Sequence, residues 1–246
     1  LLTHQKAELF QQEAEAAAIL SHPNIIQIYE VGEVDEFIYF TMQLIQGEPL
    51  TNRLKRLKKQ VLPSKRFMPV KMIIQIMTQI LEALDYAHRQ GIIHRDIKPA
   101  NIMIEEHTQR PIITDFGVAK VIREAKEDHS IARGSPLYMP PEQILDQSTD
   151  ERSDLYAAGI MLFEMLVPKL PLPKFESYED LLKQKLLNQR GIFLKKPSEL
   201  NPFLNTMMDQ IVLKAMAYEP EKRYENCCEL KKALEEYQKK YLHRLP

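Results

Sequence analysis

Two short motifs near the middle of the sequence constrain the fold of this chain more than any other feature. The first occupies residues 94–101 and reads His-Arg-Asp-Ile-Lys-Pro-Ala-Asn; the second, Asp-Phe-Gly, begins fourteen residues later, at position 115. The first supplies a carboxylate, an ammonium and an amide at spacings of two and five residues, and the second adds a carboxylate on a turn that its glycine permits. Together these groups are suited to holding a magnesium-bound triphosphate and positioning a hydroxyl for attack.

Through these motifs the chain resembles the eukaryotic-like Ser/Thr protein kinases found in bacteria, and the resemblance covers almost its whole length. It implies an α+β, two-lobed protein-kinase-like fold with an incomplete small lobe and a mainly α-helical large lobe. We expect a partial N-lobe at residues 1–42, consisting of the regulatory helix and the last strands. A hinge at 43–47 and a C-lobe at 48–246 would follow.

The family's Gly-rich loop and its strand lysine have no counterpart here. The chain begins at Leu1, and none of its seven glycines lies in a G-x-G-x-x-G pattern. The match starts in register inside the small lobe, which favours truncation at the N-terminus over a natural loss of these parts. We therefore expect the sequence as it stands to be inactive without the upstream lysine.

The resemblance implies a role for each polar residue of the two motifs. Asp96 would accept or orient the proton of the substrate hydroxyl, and Lys98 would neutralise charge on the γ-phosphate during transfer. Asn101 and Asp115 would bind Mg²⁺ through oxygen atoms, the ligand type that this ion requires. ATP and Mg²⁺ are thus the expected cofactors.

A second group of residues is assigned to the nucleotide by the resemblance. Glu13, on the predicted first helix, matches the glutamate that pairs with the strand lysine, and Met42 matches the residue at the back of the nucleotide pocket. The hinge recognises adenine through backbone groups in this family. The remaining nucleotide-binding assignments are Gln43, Leu44, Ile45, Met103 and Asp115.

Residues 134–142 resemble the family's substrate-docking segment, in which a Ser or Thr after the glycine contacts the catalytic Asp and Lys. Ser135 occupies that position and is assigned to the catalytic group. Ser130 is the candidate regulatory phosphosite, because Arg95 and Lys120 offer positive charge to a phosphoserine. The alternative, that Ser130 is an ordinary loop serine, stays open.

Other matched positions have structural roles in the family. Glu142 and Arg223 correspond to a buried ion pair, and Asp154 corresponds to a carboxylate that holds the catalytic-loop backbone. His94 is expected to pack against Phe116 rather than to bind a metal. The full structural set is His94, Arg95, Phe116, Gly117, Glu142, Asp154 and Arg223.

Apolar periodicity predicts the secondary structure along the chain. The clearest helix covers residues 70–90, where apolar residues form one stripe and Gly91 follows as a stop signal. Further helices are predicted at residues 3–20, 153–167, 178–187, 203–217 and 226–241. Strands are predicted at 25–31 and 37–44, separated by a turn at 32–36, and at 102–104 and 112–113.

Composition excludes several classes of protein. The net charge of −1 gives no overall attraction to nucleic acid, and the longest apolar window is far below the ~20 residues of a membrane span. The two cysteines are adjacent and make a poor disulfide pair, which fits a reducing compartment. We expect a cytoplasmic location, either free or as the cytoplasmic domain of a longer, membrane-anchored protein. A basic run at residues 53–66 is either a solvated face or a contact for acidic partners.

The function implied by the resemblance is transfer of the ATP γ-phosphate to Ser or Thr hydroxyls of protein substrates, with a homodimer as an activating arrangement. A catalytically inactive, pseudokinase-like interaction module is the alternative. The four intact polar residues of the two motifs argue against it. A small-molecule kinase of the same fold is disfavoured by the docking segment at 134–142.

Overall fold

A computed structural model describes residues 18–34, 37–116 and 136–242. The strands in this part are β1 (Ile28–Val34), β2 (Phe37–Met42), β3 (Gly47–Pro49), β4 (Ile102–Glu105) and β5 (Pro111–Ile113). The α-helices are α1 (Leu50–Lys58), α2 (Val70–Arg89), α3 (Pro141–Ile144), α4 (Glu151–Leu166), α5 (Tyr178–Leu187), α6 (Pro197–Leu200), α7 (Thr206–Ala215) and α8 (Cys227–Tyr237). The expected α+β class is confirmed.

The first two strands form an antiparallel hairpin, as the sequence predicts, but β1 continues to Val34 through part of the predicted turn. Gly32 therefore lies inside the strand, paired with Tyr39. A Cβ atom on Gly32 would lie 2.6 Å from the Tyr39 side chain, so the glycine makes room for that ring. The sequence-based interpretation of Gly32 as a turn residue was therefore wrong.

The beginning of the first predicted strand lies outside the hairpin and forms an isolated parallel bridge with β5. The Ile26 N–H donates to the Ile113 carbonyl at 2.9 Å, and the Ile113 N–H donates to the Asn24 carbonyl at 2.8 Å. The Asn24 side chain adds a bond from Nδ2 to the Pro111 carbonyl at 2.7 Å. These bonds tie the segment before β1 to β5, the strand that leads into Asp115.

The second sheet has three strands in the order β3-β4-β5, all antiparallel. The predicted hairpin at 102–104 and 112–113 is confirmed, with Ile102 opposite Ile113. β3 was not predicted, since three residues are too few to show a period. It passes so close to β4 that a Cβ atom on Gly47 would lie 2.2 Å from the Ile104 carbonyl oxygen.

The helical core is built around α2, which has ten buried residues and packs against α4 and α8. All eight residues of its predicted apolar stripe are buried, and Gly91 ends the helix with a φ of +75°. Helix α2, with the short turn before it, is long and apolar enough to cross a membrane by length and composition. Because 56% of its most apolar window is buried inside the protein, it serves as a core helix here.

Capping side chains set the start of the later helices. The predicted helix at 178–187 is confirmed with the same bounds. Helix α4 begins two residues before its predicted start, because the Asp150 side chain accepts from the Arg152 N–H at 2.9 Å. α7 is shorter than predicted because Asn205 caps the Met207 N–H at 3.0 Å. α8 is followed by a π-helical turn at Gln238–Leu242.

Three of the observed helices were not predicted, and two of them, α3 and α6, have only four residues each, too few to show a period. α1 was not predicted, since its many basic residues led to an interpretation as a charged run, yet Leu50 and Leu54 are buried on its inner face. The helix predicted at 3–20 lies almost entirely outside the described residues.

Candidate active site

The backbone of the first motif is held by a buried carboxylate from another helix. Asp154, in the first turn of α4, accepts from the Arg95 N–H at 2.7 Å and from the His94 N–H at 2.9 Å. Arg95 has a φ of +63°, a conformation that costs a non-glycine residue about 1–2 kcal/mol. The charge-assisted hydrogen bonds that Asp154 accepts offset this cost and fix the bend that precedes Asp96.

Asp154 is fully buried, and its charge is supported from a third side. His88 on α2 lies 2.8 Å from it, Nε2 to Oδ2. Burial by itself would raise the pKa of Asp154, but the hydrogen bond and charge of His88, together with His94, outweigh it and hold the pKa below its ordinary value. The carboxylate therefore stays ionised and can accept both backbone N–H groups.

The ring of His94 joins the two motifs. Its Nδ1 accepts from the Asp96 N–H at 3.2 Å, so the hydrogen is assigned to Nε2, which donates to the Thr114 carbonyl at 2.9 Å. The expected contact with Phe116 is present, with ring centroids 4.6 Å apart in an edge-to-face arrangement. Both ring nitrogens of His94 thus form hydrogen bonds within the protein, as fits a structural role.

Three of the predicted catalytic side chains meet at one carboxylate. Lys98 Nζ donates to Asp96 Oδ2 at 2.6 Å, and Asn101 Nδ2 donates to the same oxygen at 3.1 Å and to the Asp96 carbonyl at 2.9 Å. The Asp96 and Lys98 side chains are only 12% and 17% exposed. Their geometry orients Asp96 and keeps a positive charge beside it.

The second motif is placed next to the first by backbone bonds. The Thr114 N–H donates to the Asn101 carbonyl at 2.9 Å, and the next residue, Asp115, is exposed with a φ of +63°. Because the Asn101 amide nitrogen is used by Asp96, its oxygen is the atom suited to a metal ion. An amide oxygen and a carboxylate fit Mg²⁺, which commonly takes one or two protein ligands and completes its shell with phosphates and waters.

A small apolar pocket adjoins Asp115 and contains Met42. The Gln43 N–H is used within the protein, donating to the Gln27 carbonyl at 2.8 Å, while the Leu44 side chain is 87% exposed. Met103 lies in β4 opposite Ile112 and does not line this pocket. The lining residues are Ile25, Ile26, Ile28, Phe40, Met42, Asp115 and Phe116.

The pair between Glu142 and Arg223 is present and buried, with two parallel N–H to O bonds of 2.7 Å each. The Arg223 side chain uses all five of its donors, since the other three reach carbonyls of Ala217, Tyr218 and Arg152. Burial would raise the pKa of Glu142, but Arg223 outweighs it and holds the pKa below its usual range.

Sequence reasoning missed Lys185, a buried lysine on α5 whose Nζ reaches the Leu137 carbonyl at 2.8 Å and the Pro136 carbonyl at 3.1 Å. It also donates to the Met139 carbonyl. A signal was present in the sequence, because Lys185 lies four residues after Leu181, on the buried face of an amphipathic helix.

Some of the predicted site residues cannot be placed. Glu13, Gly117, Ser130 and Ser135 lie outside the described residues. Arg95, by contrast, is among the described residues. Its buried Nε has no hydrogen-bond partner in the part of the chain that the structure describes.

Comparison with known proteins places this geometry in context. The sequence model of the protein kinase domain family matches residues 2–237. The serine/threonine-protein kinase PrkC of Bacillus subtilis is 35% identical over 219 residues, which are 88% of this chain and 31% of that protein. The tyrosine-protein kinase MasK of Myxococcus xanthus is 32% identical over 244 residues, which are 96% of this chain and 36% of that protein.

A solved structure shares the fold. The crystal structure of the Mycobacterium tuberculosis PknI kinase domain aligns with a TM-score of 0.71 and 26% identity, covering 95% of this chain and 80% of that one. The chain spans about a third of the length of the curated relatives that it matches.

Proposed function

The chain belongs to the protein kinase domain family, and on this basis we propose that it is the catalytic domain of a serine/threonine kinase that phosphorylates proteins. Its fold is the mixed α/β kinase fold with a small sheet-rich N-lobe. The observation that carries the proposal is the Asp96 carboxylate, oriented by Lys98 and Asn101 on a loop that Asp154 bends.

Asp96 would receive the substrate hydroxyl and orient its oxygen toward the γ-phosphate. Lys98 already contacts this carboxylate, so it can share its donors between Asp96 and the transferring phosphate. Positioning of this kind contributes more than proton abstraction when the transition state is loose. The rigid hydrogen bonds around Asp96 therefore support catalysis by orientation.

Protein kinases use ATP and a divalent metal in general. We assign Mg²⁺ to the Asn101 amide oxygen and the Asp115 carboxylate; bound there, it would neutralise charge on the phosphates. The base would lie near Met42 and the backbone groups of residues 43–45, with Met103 of β4 contacting it from outside the small apolar pocket. Since the Gln43 N–H is already used, its carbonyl and the backbone of Leu44 and Ile45 remain for adenine.

Other assignments extend this proposal. We take residues 1–42 as the N-lobe part, 43–47 as the hinge and 48–246 as the C-lobe, with Glu13 at the position of the family's lysine-pairing glutamate. Ser135 would contact the catalytic pair, and a phosphate on Ser130 would bind Arg95, whose buried Nε has no hydrogen-bond partner among the described residues. A cytoplasmic location, where ATP is available, and activation through a homodimer belong to the same proposal.

The test is transfer of labelled γ-phosphate from Mg-ATP to a basic protein by the full-length protein, followed by phosphoamino-acid analysis. Asp96→Asn should lower the rate at least about a hundredfold, as expected for loss of a positioned base, while nucleotide binding is retained. Asp146→Asn, at an exposed residue with a φ of +54° that Asn tolerates equally, is the matched control.

Two outcomes would overturn the proposal. No transfer by a folded, nucleotide-binding parent would favour the interaction module. Label on tyrosine instead of serine or threonine would favour a tyrosine kinase, the class by which MasK is named.

A further inference from the structure

Lys185 carries a buried ammonium that lies outside the cluster around Asp96. Its residue is 2% exposed, and its Nζ lies 5.0 Å from the centre of the Tyr156 ring on α4. Three carbonyl oxygens converge on it, all from residues 136–139. A lysine in such a place is rare, because burying an ammonium is favourable only when its donors are satisfied.

The number of donors matches the number of acceptors. An ammonium has three N–H groups, and the carbonyls of Pro136, Leu137 and Met139 use all three. Carbonyl dipoles that point at one spot repel each other unless a positive charge lies between them. An apolar side chain at 185 would leave these buried acceptors unsatisfied, so this backbone course depends on the lysine.

The same segment is held on its other side by a side chain. The Tyr138 hydroxyl donates to Glu164 on α4, and Glu164 also accepts from Lys58 on α1 at 2.9 Å. Residue 138 thus turns its side chain toward α4 while the carbonyls around it turn toward α5. The segment is clamped between two helices, with Lys185 fixing its backbone.

We propose that Lys185 is a positioning residue for substrate peptides: by gathering the carbonyls of Pro136, Leu137 and Met139, it sets the shape of the surface that receives them. The proposal rests on the proposed kinase function, in which residues 134–142 form the docking segment. Lys185 itself would not touch the peptide or the nucleotide.

The charges around Lys185 make its protonation consequential. Burial lowers the pKa of Lys185 to about 7; the nearby Glu142 carboxylate opposes this effect and Arg223 adds to it. Glu142 has a lowered pKa and burial raises that of Tyr156, so neither changes charge near neutral pH. The ammonium is therefore present below about pH 7 and is lost as the pH rises, leaving two donors for three carbonyls.

The experiment compares Lys185→Met with Lys183→Met, an exposed lysine on the same helix, in the full-length protein. Lys185→Met should raise KM for a peptide substrate about tenfold to a hundredfold, the range for unpaired buried carbonyls, with KM for ATP within about twofold of wild type. Amide hydrogen exchange at residues 137–139 should become faster by a similar factor. Lys183→Met should behave as wild type in both assays.

The wild-type protein supplies a second measurement that needs no variant. Its peptide KM and its exchange at residues 137–139, corrected for intrinsic pH dependence, should both rise between about pH 6 and pH 8. Unchanged exchange in a folded Lys185→Met protein would overturn the proposal, as would an unchanged KM for the peptide substrate. Faster exchange without any phosphoryl transfer by wild type would instead uphold the role of Lys185 in shaping the segment and reject the kinase function.

Discussion

Replacing Arg223 with methionine should destabilise the protein by about 3–5 kcal/mol, the loss expected when one partner of a buried ion pair is removed. The structure explains why the value is large. Within the described residues, Glu142 would keep its bond from Ser153 at 2.9 Å and the one from its own backbone N–H, as a carboxylate that is 6% exposed. The carbonyls of Ala217, Tyr218 and Arg152 would lose their donors as well. The free energy of unfolding of a typical domain is only about 5–15 kcal/mol in total.

The loss should also depend on pH. In wild type the lowered pKa of Glu142 contributes stability at neutral pH, and this contribution is lost as pH falls through that pKa. In Arg223→Met the unpaired, buried carboxylate should have a raised pKa, so protonation relieves it as pH falls. The difference in unfolding free energy between the two proteins should therefore shrink from about pH 7 to pH 5.

Denaturant unfolding followed by far-UV circular dichroism is the suitable assay, because the chain has no tryptophan. Lys222→Met is the matched control, since the neighbouring Lys222 forms an exposed pair with Glu219 at 3.0 Å and should matter far less. The double variant Glu142→Gln/Arg223→Met should lose less than the sum of the single variants. A loss below about 1 kcal/mol, or one that does not vary with pH, would refute the reasoning.

Two further substitutions test other parts of the structure. Asp154→Asn should lower the free energy of unfolding by about 3 kcal/mol, because the bend at Arg95 loses its charged acceptor. It should also lower kcat more than tenfold at unchanged nucleotide affinity. A kcat equal to that of wild type in a folded Asp154→Asn protein would contradict this. Gly47→Ala should lower stability by about 1–3 kcal/mol because its Cβ would meet the Ile104 carbonyl, as measured by thermal unfolding. Gly91→Ala should lower stability less, because only the positive φ would be strained there and no atom lies near the new Cβ. A larger loss for Gly91→Ala than for Gly47→Ala would contradict this reasoning.

Local sequence determined the parts of this protein whose geometry arises within a few residues. Asp96, Lys98 and Asn101 lie within six residues, so they share one loop; the resemblance implied their roles, and the three side chains meet at the Asp96 carboxylate. The apolar stripe of α2 likewise predicted its buried face and its end at Gly91. The strand spacing indicated the β4-β5 hairpin, although β3 was too short to have a detectable pattern.

Family resemblance predicted further contacts that no local pattern contains. Asp154 lies about 60 residues from the backbone that it holds, and Arg223 lies 81 residues from Glu142. Periodicity shows which face of a helix is buried, but it does not show which distant group will meet it. These pairs were assigned by matching motifs, and their hydrogen bonds were seen only in the folded chain.

Tertiary structure alone decided the surroundings of Lys185. The pattern on α5 puts a lysine on its apolar face, but that pattern does not show which groups satisfy the ammonium. Its acceptors are carbonyls 46–49 residues earlier in the chain, and backbone carbonyls leave no mark in the sequence because every residue has one. Only the packing of α5 against residues 136–139 brings three of them to one point, which is why the lysine could be buried there.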